Sequence, residues 1–215
     1  MNKRNIDLIF PTPVSRINLE DTSICDRYAD LLLTDIGPEQ QKRLLEYGVV
    51  PTSDELHLLD EFQSLVKLID NEITLFFDEA LGLDRKSVHM TAMWANIQVD
   101  KCRHHVHQHP NSFYSGVLYL RVPTGNIEAG DIFFVDPRPS KNMWTTDYTK
   151  DHGLSHRSRR YTPETGLLLL FPSWLEHGTE MFNCNSAEYR VSLSFNYTLI
   201  QSNLHTMKLN LKPAQ

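Results

Sequence analysis

Cysteine is scarce in this chain. Cys25, Cys102 and Cys184 are the only three among 215 residues, odd in number and without framework spacing. A disulfide scaffold is thereby excluded, and a reducing, cytoplasmic setting is expected. Long hydrophobic runs are missing too: no window is apolar enough to span a bilayer, and the opening MNKRNIDLIFPTPV lacks the sustained apolar region of a signal peptide. Basic charge is in deficit, with 21 Lys and Arg against 27 Asp and Glu and a net charge of −6. That balance argues against nucleic-acid or membrane-surface binding. Internal repeats are also lacking. What is present is a 40% hydrophobic content, enough for the core of one ordinary domain.

The first part of the chain reads as helical. Residues 8–19 suggest a short strand broken by Pro11 and Pro13, which suits a sheet edge. Ile24, Tyr28, Leu31 and Leu32 then recur at helical spacing, and a more polar helical piece covers Pro38 to Tyr47. The strongest pattern predicts one helix from about Ser53 to Leu81, capped by Ser53 or Asp54 and stopped by Gly82. After Leu83 the period changes to strands: Ser87–Val99, Tyr114–Val122, Asp131–Val135, Thr165–Phe171 and Glu188–Ile200. Helices followed by antiparallel strands predict an α+β fold whose sheets close into a sandwich or barrel. Pro139 to Arg160 has no periodicity and collects basic residues, as either a disordered surface loop or a lid. The tail, 201–215, is polar with weak alternation.

Chemistry concentrates in CRHHVHQHPNSFYSGVLYL, Cys102 to Leu120. On an extended strand His105, His107 and His109 would share a face, with His104, Val106 and Gln108 on the other. Neutral imidazoles two apart can converge on one ion, and Pro110 should end the strand at the cavity mouth. His177, in FPSWLEHG, is a distant third candidate. Arg190, thirteen residues later, offers a guanidinium fork suited to a bidentate carboxylate. His57, His89, His152, His156 and His205 lack spaced partners.

In order along the chain these features resemble the 2-oxoglutarate/Fe(II)-dependent dioxygenases. The likeness is to the 2OG-Fe(II) oxygenase family with an H-x-H-P…S-G-x-x-Y core, and the feature order is that of prolyl hydroxylases. The matching residues are His107 and His109, SGVLYL with Tyr119, Gly130 to Phe134, Pro163 to Gly166, Phe171-Pro172, His177 and Arg190. The likeness covers about Trp94 to Asn196, with FPTPV matching weakly. It implies a double-stranded β-helix, a jelly-roll, cupin-like barrel with N-terminal supporting helices. Residues 1–85 would pack on the barrel, 86–200 would form its core, and 201–215 would be a tail. It also implies an enzyme that hydroxylates a small-molecule or peptide substrate, using Fe(II) and 2-oxoglutarate and releasing succinate and CO2. No catalytic group is implied beyond the metal centre. His107, His109 and His177 would hold the metal. Arg190 would bind the cosubstrate carboxylate, with Tyr119, Ser192 and Asn96 beside it.

The family usually has a carboxylate where this chain has His109. A neutral ligand there leaves an Fe(II) site one unit more positive and changes which metals compete for it. Two alternatives to His109 stay open in the sequence: His105 paired with His107, with His109 behind them, or a carboxylate elsewhere, Asp131 or Asp136, completing the triad. Rival readings are a cupin-type metal protein or isomerase without 2-oxoglutarate, and a binding module without catalysis. Cupins normally add a glutamate shortly after the histidine pair, where this chain has Asn111, Ser112 and Phe113, and they have no need of Arg190. The long helix and the tail would support a homodimer.

Overall fold

A computed structural model describes residues 9–83, 88–124, 128–138, 149, 157–184 and 188–200. The main sheet has six strands in the order β1-β8-β4-β11-β3-β2. These are β1 (Ser15–Asn18), β2 (Val49–Pro51), β3 (Val88–Gln98), β4 (Tyr114–Arg121), β8 (Leu167–Pro172) and β11 (Arg190–Leu199), all paired antiparallel. The short β1, in the proline-broken segment, lies at one edge as expected. Opposite this sheet are β7-β6-β9 and β10-β5. They comprise β5 (Glu128–Ala129), β6 (Ile132–Val135), β7 (Ser158–Tyr161), β9 (His177–Thr179) and β10 (Phe182–Asn183).

Side-chain alternation along the main sheet separates two cores. Leu118 and Leu120 on β4, Leu168 and Leu170 on β8, and Val191, Leu193, Phe195 and Tyr197 on β11 face the helices. Val117 and Tyr119, with Leu167, Leu169 and Phe171, face the second layer of strands, where Ile132, Phe134 and Leu175 meet them. Both faces of the sheet are therefore covered, which explains why β8 reads as the unbroken apolar run LLLLFP. The inward positions of β11 and β3 are polar instead: Arg190, Ser192, Asn96 and Gln98, all buried.

Three helices back the sheet: α1 (Ser23–Thr34), α2 (Pro38–Tyr47) and α3 (Gln63–Phe76). α3 buries Leu65, Ile69, Ile73 and Phe76, and the Phe76 and Phe77 rings meet Tyr114 edge-on at 5.5 and 5.1 Å. The single helix expected from Ser53 is a composite. Two 3-10 turns, Leu56–Leu58 and Asp60–Phe62, precede α3, and a π turn, Phe77–Leu81, follows it. Leu59 has extended backbone between the two turns, so the apolar spacing continues although the helix does not, and no side chain caps the start of α3. Gly82 stops the helix in the left-handed region as expected. The insertion expected over Pro139 to Arg160 lies mostly outside the described residues; its end is structured, since Ser158–Arg160 pair with β6. The 201–215 tail is outside them too.

Candidate active site

The histidine stretch does not form the regular strand expected. It runs beside β9 and β10 as an irregular ribbon. Lys101 donates to the Phe182 carbonyl at 2.8 Å, Thr179 to the His104 carbonyl at 3.0 Å, and His107 and His177 exchange backbone bonds at 2.9 and 3.1 Å. Gly178 permits this approach, because a Cβ there would lie 3.0 Å from the His104 carbonyl oxygen and 3.2 Å from the Val106 nitrogen. The irregularity reverses one expectation. His104 faces the cavity, while His105 is exposed.

His107, His109 and His177 converge, with one ligand nitrogen of each lying within 4.8 Å of the others. No Asp, Glu or Cys joins them among the described residues. Asp136 is engaged by Arg138, which donates through Nε at 2.9 Å and Nη2 at 2.7 Å. Two of the imidazoles are oriented by carbonyls. His107 Nδ1–H donates to the His105 carbonyl at 2.7 Å, and His177 Nδ1–H to the Leu175 carbonyl at 2.8 Å. Both rings then present an Nε2 lone pair to the shared point, the usual way a protein fixes the tautomer of a metal-binding histidine. The His109 ring lies 5.2 Å from that of His177 and 5.9 Å from Trp94. Burial first, then the neighbouring imidazoles, lowers His109 to about 4, and His177 is held at about 3. Both are neutral at physiological pH, as metal ligation requires. Three preset, uncharged nitrogen donors fit a divalent transition-metal ion.

Behind the histidines lies a cavity of about 160 Å³. Three cross-strand rows line it: Gln98 beside Arg190, then Asn96, Ser192 and Tyr119, then Trp94, Ser194 and Val117. Arg190 is 1% exposed, and its guanidinium carbon stands 4.7 Å from the Phe182 ring centre. Its Nε donates to Gln98 Oε1 at 2.8 Å, and Nη1 to the Ala129 and Gly130 carbonyls at 2.5 and 3.1 Å. The two-nitrogen grip on a carboxylate that the fork suggested is thus modified: Nη2 is the nitrogen left for a ligand. Burial pushes the Tyr119 hydroxyl up to about 12, so it stays a donor. Asn96 donates to Ser194 Oγ at 3.3 Å.

The structure therefore gathers all seven residues singled out in the sequence around one cavity. Gln98 and His104, which also line it, were not among them. The parity of Gln98 with Asn96, two residues along the same strand, was the available signal. A larger hollow of about 520 Å³ lies among α1, α2 and β2, mostly apolar and remote from the histidines. It holds no comparable set of convergent polar groups.

Residues 92–196 match the family described as "Putative 2OG-Fe(II) oxygenase". The family match over this span indicates a 2OG/Fe(II)-dependent oxygenase. No curated protein matches this oxygenase by sequence. Among solved structures it is similar to a 2OG-Fe(II) oxygenase family oxidoreductase from Burkholderia pseudomallei, at 15% identity and TM-score 0.58, covering 86% of this chain and 84% of that one. It is similar to HygX from Streptomyces hygroscopicus, solved with nickel and 2-oxoglutarate, at 12% identity and TM-score 0.58, covering 87% and 83%. A Pseudomonas putida prolyl-4-hydroxylase gives 11% identity and TM-score 0.56, covering 87% and 92%. These likenesses show the fold, a double-stranded β-helix. As a 2OG-Fe(II) oxygenase the chain is an enzyme with Fe(II) as cofactor and 2-oxoglutarate as cosubstrate.

Proposed function

We propose that this oxygenase hydroxylates a small-molecule or peptide substrate through a metal held by His107, His109 and His177. The observation that carries the ligand assignment is the pair of carbonyl-fixed tautomers, which leaves the Nε2 lone pairs of His107 and His177 aimed at one point. Bound Fe(II) and 2-oxoglutarate would supply the chemistry, with O2 as the oxidant: one oxygen atom enters succinate as 2-oxoglutarate loses CO2, and the other hydroxylates a C–H bond of the substrate. The chain's own residues bind, orient and exclude. Arg190 Nη2, in a buried setting, pairs with the distal carboxylate of the cosubstrate, and the Tyr119 and Ser192 hydroxyls supply the remaining donors. Asn96 faces the same cavity beside Ser192 and steadies Ser194. Trp94, Phe171 and Ile132 wall the cavity and keep water from the reacting centre.

No helix among the described residues is long and apolar enough to cross a membrane. With three free, buried cysteines, a cytoplasmic location is our reading. The net charge of −6 favours small-molecule or peptide substrates over nucleic acid.

Calorimetric titration of 2-oxoglutarate into Mn(II)-loaded protein tests the assignment. Arg190→Ala should weaken binding by about tenfold to a hundredfold, the value of a charge-assisted hydrogen bond. His177→Ala should abolish metal binding. Metal binding indifferent to 2-oxoglutarate would point to a cupin-type site instead.

A further inference from the structure

The cosubstrate anchor does not stand alone. Resting on the assignment of Arg190 above, we propose that Gln98 and His104 form a positioning relay that turns Nη2 of Arg190 into the cavity and that requires one tautomer of His104.

The chain of donors admits one solution. Arg190 Nε carries a hydrogen and no lone pair, so the Gln98 atom 2.8 Å from it is the amide oxygen. The other end of that amide is then NH2, a donor. It faces His104 Nε2 at 3.0 Å, which must accept. His104 is therefore neutral, with its proton on Nδ1. Its own backbone N–H is held by Thr179 Oγ1 at 2.8 Å, so the ring is fixed from its main chain. Gln98 is 1% exposed, and its backbone pairs with Arg190 across β3 and β11 and with Val49 on β2. An amide this buried does not exchange its partners for water.

The consequence lies in the shape of the arginine. A guanidinium is planar, so fixing Nε and Nη1 fixes the direction of Nη2. Gln98 and the Ala129 and Gly130 carbonyls clamp two of the three nitrogens, and the third is aimed without freedom. Arg190 sets the sense of the Gln98 amide, since its Nε–H can meet only the amide oxygen, and His104 holds that sense from the other end. Without an acceptor at His104 Nε2 the amide is tied at the guanidinium end alone, and the clamp loosens.

Three variants and two readouts decide the matter. Gln98→Met keeps the length of the side chain and removes both bonds; His104→Leu removes the acceptor; the third variant carries both changes. 2-oxoglutarate is titrated into each Mn(II)-loaded protein, and Mn(II) affinity is measured separately as evidence of an intact fold. Gln98→Met should weaken 2-oxoglutarate about tenfold and His104→Leu less, with Mn(II) affinity unchanged. The double variant should be no weaker than Gln98→Met, because a relay broken at one link has nothing more to lose. Nitrogen NMR of labelled histidine supplies the second readout, without any cosubstrate. The wild type should show His104 with an unprotonated Nε2. Gln98→Glu, whose carboxylate only accepts, should move the proton to Nε2. Independent, additive losses in the double variant, or a His104 proton on Nε2 in the wild type, would overturn the relay. If wild-type protein binds no 2-oxoglutarate, the cosubstrate assignment fails instead, and the NMR result still decides the hydrogen-bond chain.

Discussion

At the scale of single residues, His109 sets this site apart. With His107 and His177 it would make an all-imidazole donor set on the proposed assignment, and imidazole suits Zn, Cu and Ni as well as Fe. His109→Asp adds an anionic oxygen donor and should shift preference toward Fe(II) and Mn(II) relative to Ni(II) and Zn(II), measured by metal competition. An unchanged order of affinities would show that the third ligand lies elsewhere. Much of the site was legible residue by residue. Ser192 followed from its parity with Arg190 on one strand, whereas Tyr119 was indicated by the family resemblance alone; the structure sets it opposite Ser192. His104 was misplaced because that reasoning assumed a regular strand, whereas backbone bonds to Phe182, Thr179 and His177 bend residues 101–107 out of simple alternation.

Among the elements, the turn before β6 shows how tightly the anchor is built. Gly130 has φ of +70°, and a Cβ there would lie 2.6 Å from Arg190 Nη1 and 3.2 Å from the Glu180 carbonyl oxygen. Gly130→Ala is therefore expected to destabilise the fold by about 1–2 kcal/mol through the left-handed backbone alone. By displacing the guanidinium it should also weaken 2-oxoglutarate about tenfold, within the range of a lost charge-assisted bond. Urea denaturation and calorimetry read the two effects separately. The elements themselves were unevenly legible. The long strands and α1 and α2 followed from periodicity, since each has one face committed to a core. The short strands β2, β5, β7, β9 and β10 did not, because two to four residues carry no readable alternation and their pairing is decided by distant partners. The composite nature of the 53–81 segment was hidden for the opposite reason: its apolar spacing runs unbroken through backbone that is not.

For the whole molecule, burial of neutral imidazoles links folding to pH. His104 and His109 are lowered to about 4 and His177 to about 3, in each case chiefly by burial. In the unfolded chain these groups take up protons near pH 6.5. Between about pH 6.5 and 4 the unfolded state therefore holds more protons than the folded one, so stability rises with pH across that window. The metal-free protein should have its full stability above pH 6.5 and a lower urea midpoint at pH 5 than at pH 7.5; equal midpoints would contradict the burial of these rings. The paired amides of His107 and His177 bear on the same whole. On the proposed ligand set, two holders of one ion are laced to each other through their own main chains, so they cannot drift apart separately. Whatever frees one frees both, and the grip on the ion becomes as cooperative as the seam between the two stretches of chain.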